Sequence, residues 1–195
     1  MITVKLSHSI LSSWAMGRQE DAIGMYLGKD LPATPQMELG RAWDEIWEKY
    51  IRDTGLMPKE LAGDFNQEFM LKQPVMQQKY RKIIPFSDQY QILLSGVPDL
   101  VHNDGLVIVD FKCGRSTAND YIERYQLDYY KLLLPDAVMG EYRCWNPYLK
   151  SLTVGVKFLS DHNAENALNH ILTYGGEMID YLASQRLIKD YKEEI

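Results

Sequence analysis

Cysteine is scarce in this chain. Cys113 and Cys144 are its only two, both on predicted strands, and they read as reduced thiols of a cytoplasmic protein rather than as a bridge. No run of some 18 apolar residues and no leader-peptide layout is present, which argues against membrane and secreted readings. Positive charge is not in excess either. Twenty-one Lys and Arg stand against 27 Asp and Glu, for a net charge of −6, so contact with a polyanion must rest on local basic patches. Internal repeats, low-complexity tracts, a Walker motif and helicase segments are all missing. What remains is ordinary for a globular chain: 46% hydrophobic and 25% charged residues over 195 positions, enough for one domain with a sizeable core.

The densest signal lies between Leu93 and Gly114. Leu93 to His102 and Leu106 to Phe111 are rich in Val, Leu and Ile and predict two strands, with Asp104-Gly105 as a two-residue hairpin turn. That turn pairs Asn103 with Leu106 and sets Asp99 opposite Asp110. Facing residues share one side of a sheet with Cβ atoms roughly 4.5–5.5 Å apart. Lys112, two residues beyond Asp110, projects from the same side, while Val107, Val109 and Phe111 fill the other. Taken singly, each charged residue fits a solvated surface or a simple ion pair. A strand as apolar as LVIVDF should be buried, however, and buried charge needs a partner or a metal. Two adjacent carboxylates suit a hard divalent ion with oxygen ligands, Mg2+ or Mn2+. Lys112 can then orient a water or balance phosphate charge, which is the equipment of metal-assisted phosphodiester hydrolysis.

Pro98-Asp99, ten intervening residues and then Asp110-Phe111-Lys112 resembles the signature of the PD-(D/E)xK nuclease superfamily. Gly96 stands as in GxxD, Gly114 follows the lysine, and Gln126-Leu-Asp-Tyr-Tyr130 resembles the QxxxY motif of the RecB-like exonuclease branch. Gly40-Arg-Ala-Trp-Asp44 resembles GxxxH, with aspartate in place of histidine. The resemblance implies an α/β (α+β) restriction-endonuclease-like fold, a central mixed sheet of four or five strands flanked by helices. It implies Asp99, Asp110, Lys112, Gln126 and Tyr130 as catalytic residues. Metal ligands would be Asp99, Asp110, the Phe111 carbonyl and Asp44, unless Asp44 belongs with Glu45 and Glu48 to a solvated acidic face; Glu48 is the nearest substitute. The implied activity is that of a metal-dependent DNA exonuclease in recombination, repair or phage DNA processing, with a helicase or recombination protein as a separate partner. Two cysteines cannot supply a four-cysteine iron–sulfur cluster, so none is expected. The alternative is a catalytically inactive nucleic-acid-binding module that keeps the fold.

The remaining segments frame this centre. Residues 2–6 predict a strand, and Ser7 or Ser9 caps a helix to about Met16, with His8 on the surface. A helix over Gln19–Leu27 closes at Gly28. A longer one over Gln36–Arg52 buries Leu39, Trp43, Ile46 and Tyr50. Asp64 to Lys72 reads as a strand carrying Glu68, an extra candidate for the site. From Lys72 to Pro85 there is no acid, and Lys79, Tyr80, Arg81 and Lys82, with Arg115 beyond the hairpin, are the candidate nucleic-acid contacts. A helix is expected over Ala118–Leu134, strands over Asp136–Trp145 and Ser151–Leu159, and a helix capped by Asp161 to about Gln185, bent near Gly175-Gly176. His162 and His170 read as structural. The layout is a single domain over 1–195: a helical part at about 7–53, a catalytic core at about 65–160 and a C-terminal helix at about 161–187.

Overall fold

The structure, a computed structural model, describes residues 1–29, 32–62 and 69–192; Glu68 lies outside them. Strand β1 (Ile2–Ser7) leads into helices α1 (His8–Ala15), α2 (Gln19–Tyr26) and α3 (Pro35–Thr54). Short strands β2 (Leu56–Met57), β3 (Phe69–Met70) and β4 (Val75–Met76) follow, then β5 (Tyr80–Pro85), β6 (Tyr90–Gly96), β7 (Leu100–His102) and β8 (Val107–Cys113). Helices α4 (Asn119–Ile122) and α5 (Gln126–Leu133), strands β9 (Met139–Asn146) and β10 (Ser151–Phe158) and helix α6 (Asp161–Ser184) complete the described chain.

Among the described residues there are two mixed sheets and a small ribbon. A five-stranded sheet has the order β10-β9-β8-β7-β4, with β8 and β9 parallel and the other neighbours antiparallel. A three-stranded sheet has β6 in the middle, parallel to β1 and antiparallel to β5. This mixed α/β arrangement is the restriction-endonuclease-like fold that the motifs imply. The expected single central sheet is thus joined by a second one. The run from Leu93 to His102 is not one strand: β6 ends at Gly96 in the small sheet and β7 begins at Leu100 in the large one. Pro98 cannot donate to a ladder, so the chain changes sheets there, and Asp99 sits at the crossing.

The hairpin register is as expected. Leu100 pairs with Val109 and His102 with Val107. Asp104 and Gly105 both have positive φ, 57° and 86°, and the Leu106 amide donates to the Asn103 carbonyl at 3.2 Å, as a type I′ turn requires. Val107, Val109 and Phe111 pack under Trp47 and Ile51 of α3. On the other face, Ile108 joins Tyr142, Leu127 and Tyr130 beneath α5. A third cluster seals β1, β5 and β6 against α1, α5 and α6 through Val4, Leu6, Ile84, Ile92, Leu11, Tyr129 and Ile171.

Three helix expectations need correction. Helix α3 buries Trp47 and Ile51 while Ile46 is 57% exposed, so its inward face is rotated by about one residue and carries Asp44 toward the sheet. The helix expected over 118–134 is two, and Gln126 opens the second. Helix α6 is uninterrupted and is capped by Ser160 rather than Asp161; Gly175 and Gly176 let it approach Ile92 and Phe86 closely. Cys113 and Cys144 are free thiols on β8 and β9. No helix among the described residues is long and apolar enough to cross a membrane.

Candidate active site

Asp110 lies in the middle of β8, 1% exposed, on the face that α5 covers. Its Oδ1 accepts a hydrogen bond from Gln126 Nε2 at 2.7 Å. The Lys112 ammonium forms an ion pair with Oδ2, which has no other partner among the described residues in its buried setting. Asp99, across the hairpin, is held by both oxygens: Oδ2 accepts from the Phe111 amide at 2.7 Å and Oδ1 from Gln77 Nε2 at 3.2 Å. Gln126 also donates to the Tyr130 hydroxyl at 3.2 Å, and that hydroxyl donates to the Val97 carbonyl at 3.0 Å. One continuous set of hydrogen bonds therefore runs from the sheet crossing to Asp110.

Burial sets the electrostatics. It raises the Asp99 carboxyl, with the neighbouring Asp110 charge adding to the rise and Lys112 opposing it. Burial likewise raises Asp110, against the pull of Lys112. For Lys112 burial alone would lower the pKa, but the Asp110 and Asp99 charges hold it above the ordinary lysine value. Burial, then the same two carboxylates, pushes the Tyr130 hydroxyl well up. The pocket thus has more negative charge than it can settle. The groups gathered there are carboxylate oxygens, with Asp110 Oδ2 held by the Lys112 ammonium alone, and this fits a hard divalent cation.

Asp44 projects from the inward side of α3. Burial lifts its pKa to about 6, with Asp110 and Glu48 adding to the rise and Lys112 opposing it; it shares the field of the acidic pair. The structure does not gather it into a three-ligand cluster, since no three His, Cys, Asp or Glu side chains among the described residues are placed to hold an ion. Glu48, the alternative, pairs with Arg52 at 2.6 Å.

Asp99, Asp110, Lys112, Gln126 and Tyr130 line one cavity of about 840 Å3. Lys79 lines it too, but the other basic candidates diverge. The Lys82 ammonium turns to the Leu132 carbonyl at 3.3 Å. Tyr80 alternates with Arg81 along β5, opposite Gly96 and Ser95 respectively. Arg115 lies over the Tyr148 ring, 5.3 Å from its centroid.

His8 is a lining residue that sequence reasoning placed on the surface. It is half-buried at the cavity wall, its ring set edgewise to Tyr129 at 5.1 Å. Burial first, then Lys112 and His170, lowers its pKa to about 4, so it is neutral near pH 7. Its neighbour Ser7, as the α1 cap, was the available signal. Gln77, Lys5 and the segment 189–191 were also missed, because nothing local in the sequence ties them to the hairpin.

A sequence model of the PD-(D/E)XK nuclease superfamily matches residues 5–161. The chain belongs to that superfamily. Three solved structures share the nuclease fold at low identity. An alkaline exonuclease from Laribacter hongkongensis has a TM-score of 0.52 at 11% identity, with 93% of each chain covered. A phage-related exonuclease from Haemophilus somnus has a TM-score of 0.52 at 10% identity, over 90% of this chain and 84% of that one. A putative exonuclease from Eubacterium rectale has a TM-score of 0.59 at 12% identity, over 98% and 86%. No curated protein matches this nuclease in sequence.

Proposed function

We propose that this nuclease is a divalent-metal-dependent deoxyribonuclease that acts as an exonuclease in recombination, repair or phage DNA processing. The observation that carries the reading is the meeting of Asp99, Asp110 and Lys112 over one cavity, with both carboxyls raised and Asp110 Oδ2 held by the Lys112 ammonium alone. The exonucleolytic mode is supported by the three structural neighbours, each described as an exonuclease.

Asp99, Asp110 and the Phe111 carbonyl would hold Mg2+ or Mn2+, with Asp44 close by on α3. The ion supplies a lowered water pKa and charge neutralisation on the scissile phosphate. Lys112 is kept protonated by its two carboxylates, so it donates rather than accepts; it orients the attacking water and offsets phosphate charge. Gln126 fixes the rotamer of Asp110 with one amide hydrogen and reaches Tyr130 with the other. Tyr130 gives its own proton to Val97 O and so holds Gln126 in place.

Incubation with linear and circular, single-stranded and duplex DNA, in Mg2+, Mn2+ or EDTA, tests this. Metal-dependent loss of linear DNA, with circles spared and Lys112→Ala inert, is the expected result. Retention of DNA without degradation in either metal would leave a binding module that keeps the fold. Cleavage by Lys112→Ala at the parent rate would refute the assigned role of the lysine.

A further inference from the structure

The cavity that holds the acidic pair has a second, basic end. Lys5 of β1, Lys79 of the β4–β5 link and Lys189 of the segment after α6 line it, together with Tyr26 and Tyr191. Along β1, Val4 and Leu6 enter the core, so Lys5 and Ser7 fall on the opposite face, toward the cavity. The segment after α6 is tied to that wall at three points. The Tyr191 amide donates to Thr3 O at 2.8 Å, the Thr3 amide to Asp190 Oδ1 at 2.9 Å, and the Lys189 amide to the Tyr26 hydroxyl at 2.8 Å. The Lys5 ammonium sits 4.7 Å from the centre of the Tyr191 ring, and Lys189 Nζ spends one donor on Leu27 O at 3.2 Å.

Two of these cations, Lys5 and Lys79, crowd each other. Lys5 is the first cause of a lowered pKa at Lys79, ahead of burial and Arg81. Among the described residues lining this end Asp190 is the carboxylate, and one of its oxygens is engaged by the Thr3 amide. Lys5 and Lys79, brought together from distant segments, repel unless an anion lies between them, and Lys189 adds a third cation to the same cavity lining. At about 840 Å3, the cavity lies toward the upper end of the roughly 300–1,000 Å3 typical of ligand sites, with room for more than the scissile phosphate.

We propose that Lys5, Lys79 and Lys189 form a phosphate subsite that grips a second, non-scissile phosphate of the substrate strand while the Asp99–Asp110 end engages the scissile one. The subsite rests on the nuclease reading above and deepens it. Two separated grips on one strand fix its direction through the cavity. The chemistry recognised is phosphate, from an internal phosphodiester or from a phosphorylated strand end.

The test measures binding of labelled single-stranded 12-mers by fluorescence anisotropy in EDTA, so that cleavage cannot intervene. The oligonucleotides carry 5′-phosphate, 3′-phosphate or hydroxyl ends. The proteins are the full chain, each single Lys→Gln variant, the triple variant and a triple Lys→Arg control, with thermal melts confirming folding. The triple Gln variant is expected to bind at least tenfold more weakly, with a plot of log K against log salt shallower by roughly 0.7 for each phosphate that is no longer neutralised; the Arg control should retain the slope. In cleavage assays with Mn2+, KM should rise by a larger factor than kcat falls. If an end phosphate tightens binding of the parent but not of the triple Gln variant, the gripped group is terminal. An equal weakening for all ends makes it internal. A parent that cuts DNA, with a triple Gln variant of unchanged affinity and slope, overturns the subsite alone. A parent that neither binds nor cuts overturns the nuclease reading as well.

Discussion

The amide nitrogen of Gln126 stands 2.7 Å from Asp110 Oδ1, and this contact couples the start of α5 to the centre of β8. A hydrogen bond to a charged group contributes about 1.5–3 kcal/mol, and it favours the ionised form. Gln126→Ala is expected to lower kcat by roughly 10- to 100-fold while KM for DNA changes little. Without the donor Asp110 protonates more readily, so the acid limb of the kcat/KM profile should move to higher pH. Initial rates between pH 5 and 9 check this. An acid limb that stays where the parent has it would show that Gln126 serves the substrate side instead.

Stability without metal should fall as pH rises above neutrality. Asp99 sits at about 8 and Asp44 at about 6, both above an ordinary carboxylate value near about 4. A folded pKa above the unfolded one means that the native state binds more protons; stability is full below the unfolded value and is lost as pH climbs through the folded one. His8, His102 and His170 are lowered, chiefly by burial, and act in the opposite sense up to about pH 6.5. The raised Lys112 changes nothing until strongly alkaline pH. The clean window is therefore about pH 6.5–8.5, where Tm in EDTA should decline. Asp99→Asn, or added Mn2+, should flatten the slope. A Tm that climbs across this window for the parent in EDTA would contradict the electrostatic picture.

Gly96 bears on the site through space. A Cβ there would meet Leu133 Cδ1 at 2.8 Å and Tyr130 Cε1 at 3.1 Å, and Tyr130 is pinned between Val97 and Gln126. Tyr130 is buried and fixed at its hydroxyl, whereas Leu133 is half-buried and meets the new methyl with its flexible end, so the contact with the tyrosine is the costly one. Gly96→Ala should destabilise by about 1–3 kcal/mol, the usual cost of overpacking, and should also reduce kcat by displacing the tyrosine. Adding Leu133→Ala to Gly96→Ala opens space beside the new methyl and should recover part of the kcat, even though a Leu→Ala change is itself destabilising. If Gly96→Ala matches the parent in both Tm and kcat, the packing account of GxxD is wrong.

The sequence was most legible where chemistry is local. The Asp104-Gly105 turn set the hairpin register from His102–Val107 to Leu100–Val109, because a two-residue loop leaves one pairing; Asp99 and Asp110 lie just beyond the last of these pairs. The alternation Val107, Val109, Phe111 told which face was apolar. Where the outcome depended on distant partners, the reading failed. Leu93 to Gly96 is as strand-like as Leu100 to His102, and nothing in either stretch says that β6 would pair with the N-terminal strand. Helix α3 offered Trp43, Ile46, Trp47, Tyr50 and Ile51, enough apolar residues for two adjacent stripes, and the sheet chose Trp47 and Ile51. Gly175 and Gly176 suggested a bend by propensity, but close contact with Ile92 and Phe86 explains them. Lys5 and Lys189 became neighbours of the site only through the parallel pairing of β1 and the return of the chain after α6.

Asp44 provides the test of how a carboxylate serves where the related motif has histidine. It is near enough for Asp110 to raise it and Lys112 to lower it, but it does not complete a three-ligand cluster among the described residues. That placement suits a group that orients the metal shell more than one that supplies its main bond. Changes to such supporting partners typically cost about 10- to 100-fold in metal affinity. Asp44→Asn should therefore raise the Mn2+ concentration for half-maximal activity by about tenfold or more, while kcat at saturating Mn2+ falls much less. Asp99→Asn, which removes a direct ligand, should instead lose activity at every Mn2+ concentration. Calorimetric Mn2+ titration of the two variants in the absence of DNA gives the same ranking independently of turnover. Superimposable Mn2+ curves for Asp44→Asn and the parent would return Asp44 to the solvated acidic face of α3.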